Sequence, residues 1–508
     1  MSNGNSKRPR SAFDLHGFRQ TVDLLLEGIK EVYLADSIPW VVGYSGGKDS
    51  TATLQLVWLA LLGLEPEKRS KPVHVISTDT LVENPVVAAW VTQSLETMRG
   101  SAEKQGLPIQ PHRLTPEVSD TFWVNPIGKG YPAPRPKFRW CTERLKIRPS
   151  NAFITKVVRE DGEAILVLGT RKAESSARAS VMEKLEHRRM RERLSPNASL
   201  PNSLVFSPIE EWSNDDVWMF LMQVQNPWGY NNKDLLTMYQ GASPDGECPL
   251  VVDSTTPSCG DSRFGCWVCT LVDKDKSMAA MIQNDDEKEW MLPLLELRNE
   301  LDVTDDRPLR DFRRMNGLVQ IMNDGRHIPG PYTQASRERW MRKVLEAQQW
   351  IRENGPAHVR DIELITLAEL HEIRRIWVVE KHELEDSLPR LYEEVIGQQF
   401  PGGRIDESQV LGAAEIGLLR EVCGDDRLHF EMTRELLDVE HRYRTMSRRA
   451  GLYEALEQSL RRGFYQDETD AVDRARRKEN ALSERMKARD ERETEGQSLP
   501  LFQAVSTD

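Results

Sequence analysis

Two short runs in this chain of 508 residues bring reactive residue types close together: "YSGGKDS" at 44–50 and "FGCWVCTL" at 264–271. The first lies between an apolar strand pattern at 40–44 and a helical apolar pattern that begins at once after it. A glycine-rich turn entering a helix exposes free backbone N–H groups, and the positive end of the helix dipole adds to them, so the loop is an anion site. Gly46 and Gly47 let the backbone approach an oxyanion, Ser45 and Ser50 add hydroxyl donors, and Lys48 adds a charge. Charge-assisted hydrogen bonds contribute roughly 1.5–3 kcal/mol each, so three or four suffice to hold a pyrophosphate. The P-loop of nucleoside triphosphatases is excluded: aligned on Gly47 and Lys48, Val42 stands where its first glycine belongs and Asp49 where its magnesium-binding hydroxyl belongs.

The second run is a Cys-x-x-Cys pair, Cys266 and Cys269, with Cys248 and Cys259 upstream and Cys141 far earlier in the chain. Thiolates in this number fit a structural zinc or an iron–sulfur cluster, and chemistry alone does not separate the two. Cys423, on a helical pattern, reads as a core residue. Cys141 lies inside "KGYPAPRPKFRWCTERLKIR", 129–148, which carries Lys129, Arg135, Lys137, Arg139, Arg144, Lys146 and Arg148 against Glu143 alone. Tyr131, Phe138 and Trp140 lie among them, so the segment offers phosphate contacts and stacking surfaces. "LGTRKAESSARAS" places Arg171 and Arg178 after a strand pattern, about two helical turns apart, where both would face a phosphate. Asp79 closes the strand pattern of "VISTDT", a position where open parallel sheets make ligand contacts as well as turns.

The elements that must position these residues follow from periodicity. Apolar runs at 39–45, 72–78, 164–169 and 204–209 alternate with helical stretches, which predicts an α/β fold with a parallel sheet and crossover helices. Prolines and glycines between 115 and 140 predict an extended loop. Expected domains are 1–225 (anion-binding α/β domain), 226–333 (cysteine-bearing segment) and 334–508 (helical), the last including a solvated helix over 464–495. Six cysteines in this length exclude a secreted disulfide framework. With no apolar leader and no apolar run long enough to span a bilayer, a cytoplasmic location is expected, without a membrane partner. A net charge of −12 excludes an all-over basic nucleic-acid binder but not a local basic patch.

The loop resembles the PP-loop of ATP pyrophosphatases, whose Ser-Gly-Gly-x-Asp-Ser signature lies between the first strand and helix of an adenine-nucleotide hydrolase fold; all five fixed residues are present. That resemblance implies ATP cleaved at its α-phosphate, a nucleotide site at Ser45 to Ser50 with Asp79, Mg²⁺ held by Asp49 directly or through water, and catalysis by Lys48, Asp49, Arg171 and Arg178. "YSGGKDS", "WCTERLKIRP" and "LGTRKAESSARAS" together look like the phosphoadenylylsulfate reductase branch over roughly 36–220. The cysteine-bearing segment and the helical C-terminal part look instead like the DndC family, sulfur-transfer ATP pyrophosphatases of bacterial DNA phosphorothioation. This resemblance implies a 4Fe-4S cluster on Cys141, Cys266, Cys269 and Cys248, with Cys259 competing for the last place. It also implies DNA as acceptor, a cysteine desulfurase as sulfur donor, and further subunits of a DNA-modifying complex. A sulfonucleotide reductase, a tRNA thiolase and a non-catalytic nucleotide-sensing subunit are the alternatives.

Overall fold

In a computed structural model the alternating pattern builds a six-stranded sheet of order β3-β2-β1-β4-β6-β5. The structure describes residues 11–496, apart from 190, 198, 244–263, 323, 404, 406–410 and 445. Helix α1 (Gly17–Leu34) leads into β1 (Trp40–Gly43), α2 (Lys48–Leu62), β2 (Val73–Thr78), α3 (Pro85–Lys104) and β3 (Ile109–Leu114). Then come α4 (Arg148–Asp161), β4 (Ala164–Val167), α5 (Ser176–Glu186), β5 (Ser195–Pro196), β6 (Ser203–Phe206), α6 (Asn214–Gln223), α7 (Asn232–Gly241), α8 (Lys276–Asn284) and α9 (Leu292–Leu301). Every strand pair is parallel except β5 with β6. Trp40, Val41 and Val42 are wholly buried, as a central parallel strand covered on both faces requires. The order reverses between β1 and β4, the point where open α/β sheets leave a crevice beyond their carboxyl ends.

Four of the strands are those expected; β3, "IQPHRL", and the short β5 were not. The stretch 115–140 is more ordered than an extended loop, for it holds a turn of 3₁₀ helix at Val118–Asp120 and a π-helical turn at Val124–Lys129. A second π-helical turn, Thr142–Ile147, runs directly into α4. Its cause is Pro149, which has no N–H to give the Leu145 carbonyl and would clash with it, so the helix widens there.

The chain forms two compact units, one of Met1–Phe122, Ala133–Asp302 and Ala347–Leu364, the other of Trp123–Pro132, Val303–Glu346 and Ile365–Asp508. Residues 226–333 are thus divided between them. The second unit is built from helices: most of α10 (Gln334–Asn354), then α11 (Leu367–Arg375), α12 (Ser387–Ile396), α13 (Ala413–Cys423), α14 (Arg427–Arg444), α15 (Leu452–Gly463) and α16 (Glu468–Gly496). Among its apolar side chains, which include the buried Trp340, Ile373 and Trp377, run ion pairs: Glu383 with Arg337, Glu385 with Arg434 at 2.9 Å and Asp386 with Arg374 at 2.5 Å. Cys423 packs against the apolar cluster of Leu384, Ile416 and Phe430. From Arg476 to Asp490 every residue of α16 is exposed, so this is a solvated helix. Among the described residues no helix is long and apolar enough to cross a membrane.

One pH dependence is built into the sheet. His74 on β2 and His112 on β3 are 3.1 Å apart, and both rings pack against Phe153 of α4. Burial holds both imidazoles below their ordinary value, and in His112 the charge of His74 adds to the effect. The unfolded chain therefore takes up protons that the folded chain refuses, and stability is lost as pH falls below about 6.5. Thermal unfolding followed from about pH 7.5 to 5.5 should show this decline, and His112→Phe should flatten it.

Candidate active site at the sheet's switch point

The loop Tyr44–Gly47 turns the chain from β1 into α2. Gly46 takes a φ of +74°, and a Cβ there would lie 2.4 Å from Val91 Cγ2, so glycine is required twice over. Ser50 Oγ donates to the Gly47 carbonyl at 3.0 Å and accepts the Ser45 N–H at 3.2 Å, which fixes the turn. Gly47, the N-cap of α2, has no side chain to accept an amide of the first turn, so those amides stay available to the crevice.

Asp49, in the first turn of α2, is held between two cations. Arg171 Nε lies 2.8 Å from Oδ1 and Lys48 Nζ 3.2 Å from Oδ2. Arg171 stands just after β4, on the other side of the switch point, only 4 % exposed, and its Nη1 also donates to the Trp212 carbonyl at 3.1 Å. The approach is close because residue 169 is glycine: a Cβ there would lie 2.6 Å from the Asp49 carbonyl oxygen. Arg171 and Arg178 do not lie on successive turns of one helix, as their spacing suggested. Arg171 is extended and precedes α5, whereas Arg178 lies on α5. Both are tied to Glu174, which accepts the Arg171 N–H at 3.0 Å and pairs with the Arg178 guanidinium. Asp79 accepts the Leu81 N–H at 2.7 Å and pairs with Arg113 of β3, so its carboxylate shapes the turn after β2.

That turn positions the cysteine pair. Asn84 N–H donates to the Gly265 carbonyl at 3.2 Å and Trp267 N–H to the Val82 carbonyl at 2.9 Å, so the chain around Cys266 lies along residues 82–84. Burial pushes the Cys266 thiol up to about 12, the charge of Glu83 adding to it. Burial raises the Cys141 thiol too, and the charge of Cys269 adds to that, so Cys141, at the start of the π-helical turn, lies within electrostatic reach of the pair. Lys146, one turn beyond Cys141, pairs with Glu83 at 3.2 Å. Burial alone would lower its ammonium, but the charges of Cys266 and Glu83 carry it above its ordinary value. Arg298 of α9, 1 % exposed, gives hydrogen bonds to the carbonyls of Cys269 at 2.9 Å, of Asp273 at 3.1 Å and of Val272. Nothing in the sequence marked it. Cys248 and Cys259 lie outside the described residues.

Thiols are the ligand type of a structural zinc and of an iron–sulfur cluster alike, and the two differ in how far apart they hold their sulfurs. A tetrahedral zinc with bonds of about 2.3 Å holds its sulfurs about 3.8 Å apart. Among the described residues the only three ligand-bearing side chains within 4.8 Å of one another are Glu186, Glu210 and Glu211. A cluster places an iron behind each thiolate and spreads its ligands more widely.

The basic stretch is less open than its composition suggested. Arg148 pairs with Asp120 at 2.6 Å, Arg144 with Asp120 at 3.6 Å and Lys146 with Glu83. Trp140 is buried and stacks on Phe122 at 5.4 Å. Lys137, Phe138 and Arg139 stay exposed on the turn closed by the Arg135–Phe138 bridge.

Residues 39–271 match the family model of the phosphoadenosine phosphosulfate reductase domain, and the Ser-Gly-Gly-Lys-Asp-Ser loop at the switch point lies within the matched part. Over 200 residues the chain is 28% identical to an uncharacterized protein of Methanocaldococcus jannaschii, covering 39% of this chain and 35% of that one. It thus spans about a third of the length of the curated relative it matches. Among solved structures, the U34-tRNA thiolase NcsA of Methanococcus maripaludis with its 4Fe-4S cluster aligns at 13% identity and a TM-score of 0.27, over 57% of this chain and 82% of that one. The Candida glabrata FMN adenylyltransferase in complex with FAD and inorganic pyrophosphate aligns at 11% identity and a TM-score of 0.25, over 50% and 79%. Overlaps this loose carry no inference about this chain.

Proposed function

We propose that the chain is an ATP pyrophosphatase that activates an acceptor for sulfur transfer, and that the acceptor is a backbone phosphate of DNA. The observation that carries the reading is that a Ser-Gly-Gly-Lys-Asp-Ser helix start follows β1 while the cysteine pair is held on the turn after the neighbouring strand β2. The phosphates of ATP would lie on the amides of Gly47 and Lys48, with the Lys48 ammonium neutralising charge as pyrophosphate leaves. An acceptor oxygen attacks the α-phosphorus, the bond to pyrophosphate breaks, and AMP passes to the acceptor. The persulfide sulfur of a partner cysteine desulfurase then attacks the activated phosphorus and AMP leaves, and a thiol reductant cleaves the remaining S–S bond, so that sulfur stays on the acceptor and the thiols leave as a disulfide. Activation is needed because a phosphodiester oxygen is a poor leaving group, and the protein contributes mainly positioning and charge.

Arg171 positions Asp49 and leaves its carboxylate better suited to Mg²⁺ through a bound water than directly, since both oxygens already face cations. Cys141, Cys266, Cys269 and a fourth cysteine, Cys248 or Cys259, would hold a 4Fe-4S cluster, which when bound supplies carriage or reduction of the sulfur. DNA is chosen on the resemblance to the phosphorothioation family. The exposed Lys137, Phe138 and Arg139 offer one local contact, and an acidic chain takes the rest of its grip from other subunits of the complex.

The test is pyrophosphate release from ATP in the presence of DNA and a sulfur donor. Lys48→Ala should lower release by about ten-fold or more, the loss of one charge-assisted contact. Equal release by wild type and variant would sink the ATP site. The domain match also suits a sulfonucleotide reductase, which acts on a substrate already activated. Sulfite formed from phosphoadenylylsulfate, with no pyrophosphate from ATP, would identify that enzyme instead.

A further inference from the structure

Tyr239 of α7 stands at the start of α2, although 191 residues separate it from Lys48: its hydroxyl accepts the Lys48 N–H at 3.3 Å. The ring lies beneath the Lys48 ammonium, 5.6 Å from its centroid, and the residue is 8 % exposed. Burial, with the Asp49 charge adding to it, keeps the phenol protonated against the pull of the Lys48 amide. Among the described residues its O–H proton has no acceptor, so a donor waits beside the first turn of α2, whose N-cap glycine has no side chain. The ring also meets Phe264 edge-on at 4.7 Å. Phe264 lies two residues before Cys266, in the segment whose Trp267 and Cys269 amides are held by the Val82 and Cys266 carbonyls.

We propose that Tyr239 is a phosphate ligand that links the nucleotide site to the thiols: its O–H donates to the bound polyphosphate, and its ring transmits that occupancy through Phe264 to the Cys266–Cys269 turn. This rests on the reading of the loop as an ATP site. An anion at the Lys48 amide draws the phenol proton toward itself and fixes the ring angle, and Phe264, packed on the ring, is fixed with it. ATP thus orders the turn that carries the sulfur chemistry before sulfur is committed.

The experiment pairs calorimetric ATP binding with hydrogen exchange of the peptide spanning 264–270, on full-length wild type, Tyr239→Phe and Phe264→Leu. In wild type, saturating Mg·ATP should slow exchange at Trp267 and Cys269 several-fold. Tyr239→Phe keeps the ring and loses the donor: ATP should bind about ten-fold more weakly, and at saturation the slowing should be absent. Phe264→Leu should bind ATP within about two-fold of wild type and also lose the slowing. ATP binding by wild type with unchanged exchange overturns the link, and so does a full response in saturated Tyr239→Phe or Phe264→Leu. Unaltered affinity in Tyr239→Phe overturns the phosphate contact. Failure of wild type to bind ATP at all would instead remove the nucleotide site itself, and this inference with it.

Discussion

Arg171→Ala should reduce pyrophosphate release by about a hundred- to a thousand-fold and destabilise the first unit by about 3 kcal/mol, the lower end of what loss of one partner from a buried ion pair costs. The figure is at that end because the Asp49 side chain is 26% exposed and water partly compensates it. The guanidinium joins three things that come from different parts of the chain: the Asp49 carboxylate at the start of α2, the Trp212 carbonyl, and the end of β4. Without it, Lys48 is left as the sole cation on Asp49, and the charge meant for the departing pyrophosphate is spent on a neighbour. Arg171→Lys separates the two effects. A lysine restores a charge but cannot hold Asp49 and the Trp212 carbonyl at once, so stability should recover in part while release stays low. Urea unfolding and pyrophosphate release measured on the same preparations check this. Wild-type release from Arg171→Ala would mean that Asp49 needs no fixed partner, and the geometry at the switch point would then be structural only.

The sequence exposed those parts of the fold that obey local rules. β1 and α2 were legible because a parallel strand is apolar on both faces and the glycine turn marks where period 2 gives way to period 3.6. β3 was hidden by Pro111 and Arg113, which an edge strand tolerates and a central one does not. Charge counted along the chain misled at 129–148, because Asp120 and Glu83, which compensate Arg144, Arg148 and Lys146, lie outside the counted window and reach it only through the fold. Arg171 and Arg178 were placed after the right strand, but the spacing rule assumed a helix that begins only at Ser176. Tyr239 and Arg298 left no signal at all. An aromatic in "LLTMYQG" and an arginine in "LLELRNE" look like ordinary helix residues, and only tertiary packing brings one to the phosphate loop and the other to the carbonyls after Cys269.

The second large effect concerns metal. Anaerobically purified wild type should carry about four irons per chain with a cluster absorption band, and Cys141→Ser should lose essentially all of it. Cys141 is the informative position because it reaches Cys269 only through the fold: the widened helix around Pro149 sets its place, while Asn84 and Val82 anchor the turn that carries Cys266 and Cys269. A serine there keeps the size and removes the soft ligand, so lost iron would report ligation rather than collapse, provided the far-ultraviolet spectrum and unfolding midpoint are retained. Cys423→Ser, whose thiol packs against Leu384, Ile416 and Phe430, should keep its iron and serves as the control. Of Cys248→Ser and Cys259→Ser, one should lose iron and the other keep it, which names the fourth ligand. Iron retained in Cys141→Ser would separate the basic stretch from the metal and remove the reason for placing sulfur chemistry beside the nucleotide. Zinc in place of iron would require the thiols to draw together to the roughly 3.8 Å spacing of a tetrahedral site, and it would leave the ATP reaction without its sulfur arm.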